Sequence, residues 1–397
     1  MMSTLNKIKL VITVVSCVAL SACNTLPRSS SVNKALLNSD TFTLQPVPTP
    51  QDIFQLDDRI KTQLDNYFRG TTPSLSHTKK LLRFLVDNGD ASLSYQSGAN
   101  LTASQAYFDL NANCLSLSIL SFSLAEHLGF KSQFQQVHIP EYWDQTQGYN
   151  LLTGHVNLVI SESNYTTNKN KSNGIALYTR PQSLTIDFDP NSRQQKFTTS
   201  DITKQRILAM FYSNRGAMHM INAEYDLAFS YFKAAISADE LYSGAWGNLG
   251  VLYRVANQYQ RAEDTYQQAL ALNADNKTVL GNMALLYRMT NRDSLAIALE
   301  NTLNQQRKNN PYYQIVLGNE ALENNDFTLA VRHFNKARKL DSKLHKSYFG
   351  LAKVHYYRGN LEQAEKYLLQ AYKLSEYKHD RKRYQSKLQW IQAVAKN

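Results

Sequence analysis

The chain has 397 residues, with 43 Lys and Arg against 32 Asp and Glu, so its formal net charge at pH 7 is +11. Its nine histidines show no metal-ligand spacing, and the sequence has neither a glycine-rich phosphate loop nor a GxSxG nucleophile elbow. Zinc enzymes, P-loop nucleotide hydrolases and serine hydrolases of the elbow type are therefore not indicated. No metal and no cofactor are expected.

The first residues have the pattern of an export signal. Lys7 and Lys9 precede the apolar run Leu10–Leu20, and small residues follow that run. A positive segment, a short apolar segment and small residues are typical of a secretory signal, and the apolar run is too short to span a bilayer. This pattern predicts a signal peptide over residues 1–22.

The residues that end the apolar run, Leu20-Ser21-Ala22-Cys23, resemble the lipobox of bacterial lipoproteins. The resemblance implies cleavage before Cys23, a diacylglyceryl group on its sulfur and an acylated amino terminus. Two or more acyl chains anchor a protein stably in a membrane. Because Asn rather than Asp follows Cys23, the resemblance also implies transport to the outer membrane, on its periplasmic face. An ordinary signal peptide followed by a chance cysteine is the alternative.

Cysteine usage leaves one free thiol. Of Cys17, Cys23 and Cys114, the first leaves with the signal and the second carries the lipid. Cys114 therefore has no partner for an intramolecular disulfide in the oxidising periplasm. A lone buried cysteine commonly serves as a small apolar filler, and this interpretation competes with a chemical role.

Positive charge is concentrated near the C terminus. Removing the signal takes two lysines and lowers the formal charge from +11 to +9, and much of the remainder lies in residues 378–387, KHDRKRYQSK. A basic surface can bind anionic lipid, cell-wall peptide or acidic protein, whereas nucleic acid is not expected in this compartment. A solvated helix face explains the same charges without a ligand.

Two segments precede the repeats. Residues 23–50 are rich in Ser, Thr, Asn and Pro. Such a composition does not bury a core, so we predict a lipidated tether that holds the folded protein away from the membrane. Residues 51–200 mix helical and strand-like patterns, which indicates an α+β domain.

Cys114 stands at the start of a predicted helix. Asn111 and Asn113 precede it and can cap the helix, and Gly129 marks its C-terminal end. The apolar residues at helical spacing are Leu117, Leu120, Leu124 and Leu128. A thiol in the first turn lies near free N–H groups and the positive end of the helix dipole. Both stabilise the thiolate that nucleophilic catalysis by cysteine needs.

Two strand-like segments with polar faces follow. In LLTGHVNLVI, alternation places His155, Asn157 and Val159 on one face of a strand that opens with the histidine. In SLTIDFDP, the same alternation places Asp187 and Asp189 on one face. Imidazole and carboxylate are the groups that a nucleophilic thiolate requires.

A helix opening with Cys, then a strand with His and a strand with Asp, resembles the transglutaminase-like branch of the papain-like fold over residues 103–190. The resemblance implies that Cys114 attacks an acyl carbon, His155 takes the proton and Asp187 orients the imidazole, with Asp189 as the alternative third member. It predicts an α+β papain/transglutaminase-like domain over residues 51–200. Asn157 departs from the family, in which an aromatic residue often follows the histidine.

The C-terminal half contains a repeated pattern. Alanines recur every 34 residues, at Ala228, Ala262, Ala296, Ala330 and Ala364. A small residue stands twelve positions before each alanine, and a large apolar residue stands four positions after most of them. The pattern resembles the tetratricopeptide repeat (TPR) and predicts an all-α solenoid of five repeats over residues 209–378, with a capping helix over 379–397. In the third repeat Glu300 replaces the large apolar residue, and Leu303 replaces the alanine that the other repeats have seven positions after the recurring alanine. A bend, a partner contact or sequence drift would explain these exceptions.

Three functions are compatible with these features. The first is a periplasmic, membrane-anchored acyl-transfer enzyme, a protease or amidase if water accepts the acyl group and a transglutaminase-like enzyme if an amine does. Its repeats would bind a protein or peptide ligand in their groove. The second is a catalytically inactive scaffold or assembly lipoprotein of the outer membrane. A cell-wall peptide binder is a third interpretation.

Overall fold

The computed structural model describes residues 32–70, 75–87, 94–95, 99–109, 111–146, 149–161, 183–188, 197–375 and 378–394. Residues Asn33–Asn397 form one compact unit. The predicted signal peptide, with Cys23, and the alternative site residue Asp189 lie outside the described ranges. Among the residues described, no helix is both long enough and apolar enough to cross a bilayer.

The N-terminal region is α+β, as predicted. Its helices are α1 (Pro50–Phe54), α2 (Asp58–Tyr67), α3 (Leu75–Asp87), α4 (Ala103–Asp109) and α5 (Cys114–His127). Its strands are β1 (Ser94–Tyr95), β2 (Asn111–Ala112), β3 (Lys131–Thr146), β4 (Tyr149–Ser161), β5 (Ser183–Ile186) and β6 (Thr199–Ile202). β1 pairs in parallel with β2, and the other four strands form an antiparallel sheet in the order β5-β4-β3-β6.

Helix α5 is the central helix of this region. Its leucines and its serines are both buried, as expected for a helix that is apolar on all sides. The Asn113 side chain accepts a hydrogen bond from the Ser116 N–H and caps the N terminus, and Gly129, with φ of 75°, follows its C terminus. Phe122 stacks on Phe134 of β3 with ring centroids 4.7 Å apart, so the helix packs on the sheet. The predicted helix that begins at Cys114 is confirmed.

The C-terminal region is a solenoid of helical hairpins, which confirms the predicted all-α array. Its helices are α6 (Lys204–Ile221), α7 (Tyr225–Ala238), α8 (Ser243–Val255), α9 (Tyr259–Leu272), α10 (Lys277–Met289), α11 (Asp293–Arg307), α12 (Pro311–Glu323), α13 (Phe327–Leu340), α14 (His345–Tyr357), α15 (Leu361–Leu374) and α16 (Lys378–Val394). Successive hairpins pack together where α7 meets α8, α9 meets α10 and α13 meets α14, because one hairpin alone leaves its apolar face exposed.

Glycine and an aromatic ring occupy paired positions within a hairpin. A Cβ added to Gly250 would lie 2.5 Å from the Tyr266 ring, and the same closeness holds at two other hairpins. These further pairs are Gly216 with Phe232 and Gly318 with Phe334. In the third repeat Ala284 stands in the glycine position and Glu300 replaces the ring. Glu300 accepts hydrogen bonds from Arg288, with Oε2 2.7 Å from Nη2, so loss of the ring accompanies loss of the glycine.

We expect Gly250→Ala to lower the free energy of unfolding by about 1–3 kcal/mol, because the added methyl group would clash with the buried Tyr266 ring. Gly281→Ala in α10 is the matched control, since its Cβ would meet no heavy atom closer than 3.8 Å. There the better helix propensity of alanine should raise stability by about 0.5–1 kcal/mol. Urea unfolding followed by circular dichroism measures both changes, and a shift of the same sign in the two variants would contradict this packing.

Residues 33–49 differ from the predicted tether. Leu36 and Phe42 are buried. Phe42 stacks on Phe229 of α7 with ring centroids 5.1 Å apart, and the Tyr253 hydroxyl donates a hydrogen bond to the Leu36 carbonyl oxygen at 2.5 Å. The segment is polar on average, but its few apolar side chains find complementary surface on the repeats. Any tether formed by the predicted range 23–50 therefore ends before this docked segment.

Candidate active site

The structure brings Cys114, His155 and Asp187 together. His155 Nε2 lies 2.9 Å from Asp187 Oδ1, and the His155 ring also contacts the Cys114 thiol. At this distance the imidazole and the carboxylate form an ion pair when the ring is protonated. Cys114 Sγ also lies 3.8 Å from the carbonyl oxygen of Gly154. The imidazole thus has sulfur on one side and carboxylate on the other.

The charges around His155 favour its protonated form. Burial alone would lower the pKa of His155, but its contacts with Asp187 and Cys114, and the negative charges of those groups, outweigh burial and raise the pKa to about 10. An imidazolium at neutral pH can stabilise a neighbouring thiolate, which is the ionic form that a cysteine nucleophile uses.

The strand register explains how Asp187 reaches the histidine. Leu158 of β4 pairs with Ile186 of β5, so Asp187, the next residue, lies level with Asn157. Side chains alternate along a strand, which puts Asp187 and Asn157 on the face that carries His155. This shared face is the predicted one. The prediction that the strand opens with His155 is wrong, because β4 already begins at Tyr149 as part of a long hairpin with β3.

The site is recessed. Cys114 is 6% exposed and His155 is 3% exposed, while the Asp187 side chain is 23% exposed. Gly154 is exposed, and a Cβ added there would meet no atom within 4 Å. Open space therefore lies beside the residue whose carbonyl oxygen faces the thiol. On the predicted polar face of β4, His155 and Asn157 are both buried.

A network that the sequence did not reveal holds the start of α5. Asn113 Nδ2 donates to Asn100 Oδ1 at 2.8 Å, and the backbone N–H of Leu101 donates to Ser116 Oγ at 2.8 Å. Asn100 Oδ1 also accepts from Asn214 Nδ2 of α6 at 3.2 Å. The segment that precedes α4 thus connects the Cys114 helix to the first helix of the repeats.

Within the described ranges, no three His, Cys, Asp or Glu side chains converge as metal ligands would.

Comparison with known families supports the repeats. Models of the tetratricopeptide repeat match residues 243–276 and 315–379. The C-terminal part of the chain therefore contains tetratricopeptide repeats, as predicted from the 34-residue period. No protein of curated function matches the chain significantly.

Solved structures are similar to part of the chain. Pseudomonas aeruginosa pilF aligns at 18% identity and a TM-score of 0.30, over 44% of this chain and 79% of its own. PilW, described as a widely conserved type IV pilus biogenesis factor, aligns at 16% identity and a TM-score of 0.29, over 47% of this chain and 98% of its own. YrrB, described as a TPR protein with an unusual peptide-binding site, aligns at 17% identity and a TM-score of 0.25, over 43% and 89%.

Proposed function

We propose that the protein is an exported, lipid-anchored acyl-transfer enzyme with a papain/transglutaminase-like N-terminal domain. Cys114 is the nucleophile, and His155 is the general acid and base. Asp187 orients the imidazole and stabilises its protonated form. The observation that carries this proposal is the contact of one buried imidazole with both partners, with Nε2 2.9 Å from Asp187 Oδ1. That distance favours Asp187 as the third member of the triad.

The chemistry proceeds through a thioester. The Cys114 thiolate attacks the carbonyl carbon of an amide or ester, a C–S bond forms, and the π electron pair moves to oxygen. When the tetrahedral adduct collapses, the His155 imidazolium gives its proton to the leaving amine or alcohol. Water or an amine then attacks the thioester, His155 accepts the proton of the attacking group, and the C–S bond breaks, which releases the acid or amide and restores the Cys114 thiolate. The backbone N–H of Cys114, in the first turn of α5, is suited to stabilise the oxyanion because it has no intrahelical acceptor.

The repeats recruit the substrate in this proposal. A protein or peptide bound in their groove would be held near the N-terminal domain, to which α6 is joined through Asn214 and Asn100. Lipid on Cys23 would anchor the protein to the periplasmic face of the outer membrane. A cell-wall peptide also suits this proposal as a ligand, because the basic helix α16 can attract acidic stem peptides.

A catalytically inactive scaffold is the second candidate, and the burial of the site favours it. A thiol that is only 6% exposed, beside an imidazole that is 3% exposed, also fits a purely structural contact. In that case the N-terminal domain and the repeats would act together as a docking platform. The two candidates differ in whether Cys114 forms a covalent acyl intermediate.

Acylation with p-nitrophenyl acetate distinguishes them. Incubation of the full chain at pH 7 should place one acetyl group on Cys114, detected by peptide mass spectrometry. The adduct should then decay in water, and faster when methylamine is added. Cys114→Ser is the control variant. The enzyme proposal is contradicted if Cys114 stays unmodified and the wild-type chain releases p-nitrophenol no faster than this variant.

A further inference from the structure

The strand that pairs with the histidine strand is irregular next to His155. Val137 of β3 pairs with His155, and the next pairing joins Tyr142 to Thr153. Residues 138–141 therefore all stand opposite Gly154 alone. Extra residues in one strand bend it and re-aim the side chains beside them, which is why such irregularities occur next to functional sites.

This four-residue bulge, residues 138–141, lies against the part of β4 that faces the thiol. The carbonyl oxygen of Gly154 is 3.8 Å from Cys114 Sγ, and His155 is the next residue. The position of the bulge thus influences both groups that contact the sulfur. At its first residue the bulge is fixed to the segment that leads into β6, because the backbone N–H of His138 donates to the Thr198 carbonyl oxygen at 2.9 Å.

At its last residue the bulge is held by the repeats. Arg307, which ends α11, donates from Nε to Glu141 Oε2 at 2.9 Å and from Nη2 to Oε1 at 2.8 Å. Asn310 Nδ2 donates to the Glu141 carbonyl oxygen at 2.6 Å. Two parallel hydrogen bonds hold a guanidinium and a carboxylate in one relative orientation, which a lysine cannot reproduce.

The surroundings of this pair restrict it further. The Arg307 side chain is 10% exposed and that of Glu141 is 20% exposed. The guanidinium lies over the rings of Trp143 and Tyr313, at 5.0 Å and 5.6 Å from their centroids. Partial burial strengthens the attraction between the charges and prevents water from replacing either partner.

We infer that Arg307 is a positioning residue for the Cys114 site. By holding Glu141 it fixes the bulge of residues 138–141, and through the bulge it sets where Gly154 and His155 lie against the thiol. The inference rests on the proposed function and adds a link between the repeats and the reactive group. A movement of the junction between α11 and α12, where Arg307 lies, would change the reactivity of Cys114.

The test follows alkylation of Cys114 by iodoacetamide between pH 5 and pH 10, resolved by peptide mass spectrometry of the full chain. Arg307→Gln should slow the reaction at pH 6 by roughly 10-fold relative to the wild-type chain. Arg307→Lys, which keeps the charge but loses the paired hydrogen bonds, should have most of this effect. The charge-swapped pair E141R/R307E should recover part of the wild-type profile. Arg292→Gln, which removes the Glu263 pair within the repeats, should leave the profile unchanged.

The outcomes separate the inference from the proposed function. Suppose that Cys114 of the wild-type chain already reacts rapidly at pH 6, and that its rate is the same in folded Arg307→Gln and Arg307→Lys. This result overturns the inference and leaves the proposed function intact. If the wild-type profile is already that of an ordinary thiol, with its midpoint near pH 8.5, both are overturned. Thermal unfolding of each variant identifies those that fold, and if Arg307→Gln does not fold, Arg307→Lys decides.

Discussion

Replacing His155 by Gln is expected to slow the reaction of Cys114 with iodoacetamide at pH 6 by roughly 100-fold. Glutamine keeps a polar side chain but cannot carry the positive charge that lies between the thiol and Asp187. An ordinary thiol with a pKa near 8.5 is less than about 1% ionised at pH 6, whereas an imidazolium neighbour stabilises the thiolate. Peptide mass spectrometry of the alkylated full chain measures the rate at Cys114 alone.

His127→Gln is the matched control for this experiment. His127 lies at the C-terminal end of the same helix, α5, and its Nε2 is 2.8 Å from Asp65 Oδ1. The variant therefore removes a histidine–aspartate contact of similar length without touching the thiol, and it should react at the wild-type rate. Equal rates in the wild-type chain and a folded His155→Gln variant would show that the imidazole does not activate the sulfur.

The second large effect is a loss of stability at high pH. It is best measured in a Cys114→Ser background, in which no thiol titrates beside the imidazole. The contact with Asp187, which raises the pKa of His155 in the wild-type chain, is kept in this background, and we expect it to hold the pKa above the unfolded value of 6.5. The folded chain then binds the proton more tightly, so the stabilisation is fully present below pH 6.5 and is lost as the pH rises through the pKa of His155 in the folded chain. Each pKa unit by which the folded value exceeds 6.5 corresponds to about 1.4 kcal/mol of stabilisation lost over this range.

The comparison variant is C114S/H155Q. The measured quantity is the difference in free energy of unfolding between the Cys114→Ser variant and C114S/H155Q at each pH. Groups elsewhere in the protein cancel in this difference. Urea titrations at pH 6, 8 and 10 should show the advantage of the chain that keeps His155 shrinking at each step. An advantage that grows with pH would mean that burial dominates and that His155 is neutral when folded.

Local features explain what could be predicted from the sequence. The start of α5 has its determinants within three residues, since Asn113 caps the backbone N–H of Ser116. The hairpins follow from the 34-residue period, because each repeat carries the same small residues. The shared face of His155 and Asp187 follows from alternation along adjacent strands, once the register of β4 and β5 is known.

Long-range contacts explain what could not. Glu141 and Arg307 are 166 residues apart, and no periodicity marks either of them. The docking of Phe42 against Phe229 requires the surface of the repeats, which the composition of a short polar segment does not reveal. The irregular pairing opposite Gly154 has a local signal, because Pro140 cannot donate to a strand ladder and strands accept proline at bulges, but the sequence does not show which residue of the next strand lies opposite it.

The reaction of Cys114 with iodoacetamide at pH 6, compared between the folded chain and the same chain unfolded in urea, tests the central claim most directly. A thiol activated by His155 should react at least about 10-fold faster in the folded chain, because unfolding removes the imidazolium and leaves an ordinary thiol. A cysteine that only fills space is shielded by folding. Slower reaction in the folded chain than in the unfolded chain would contradict an active Cys114 site.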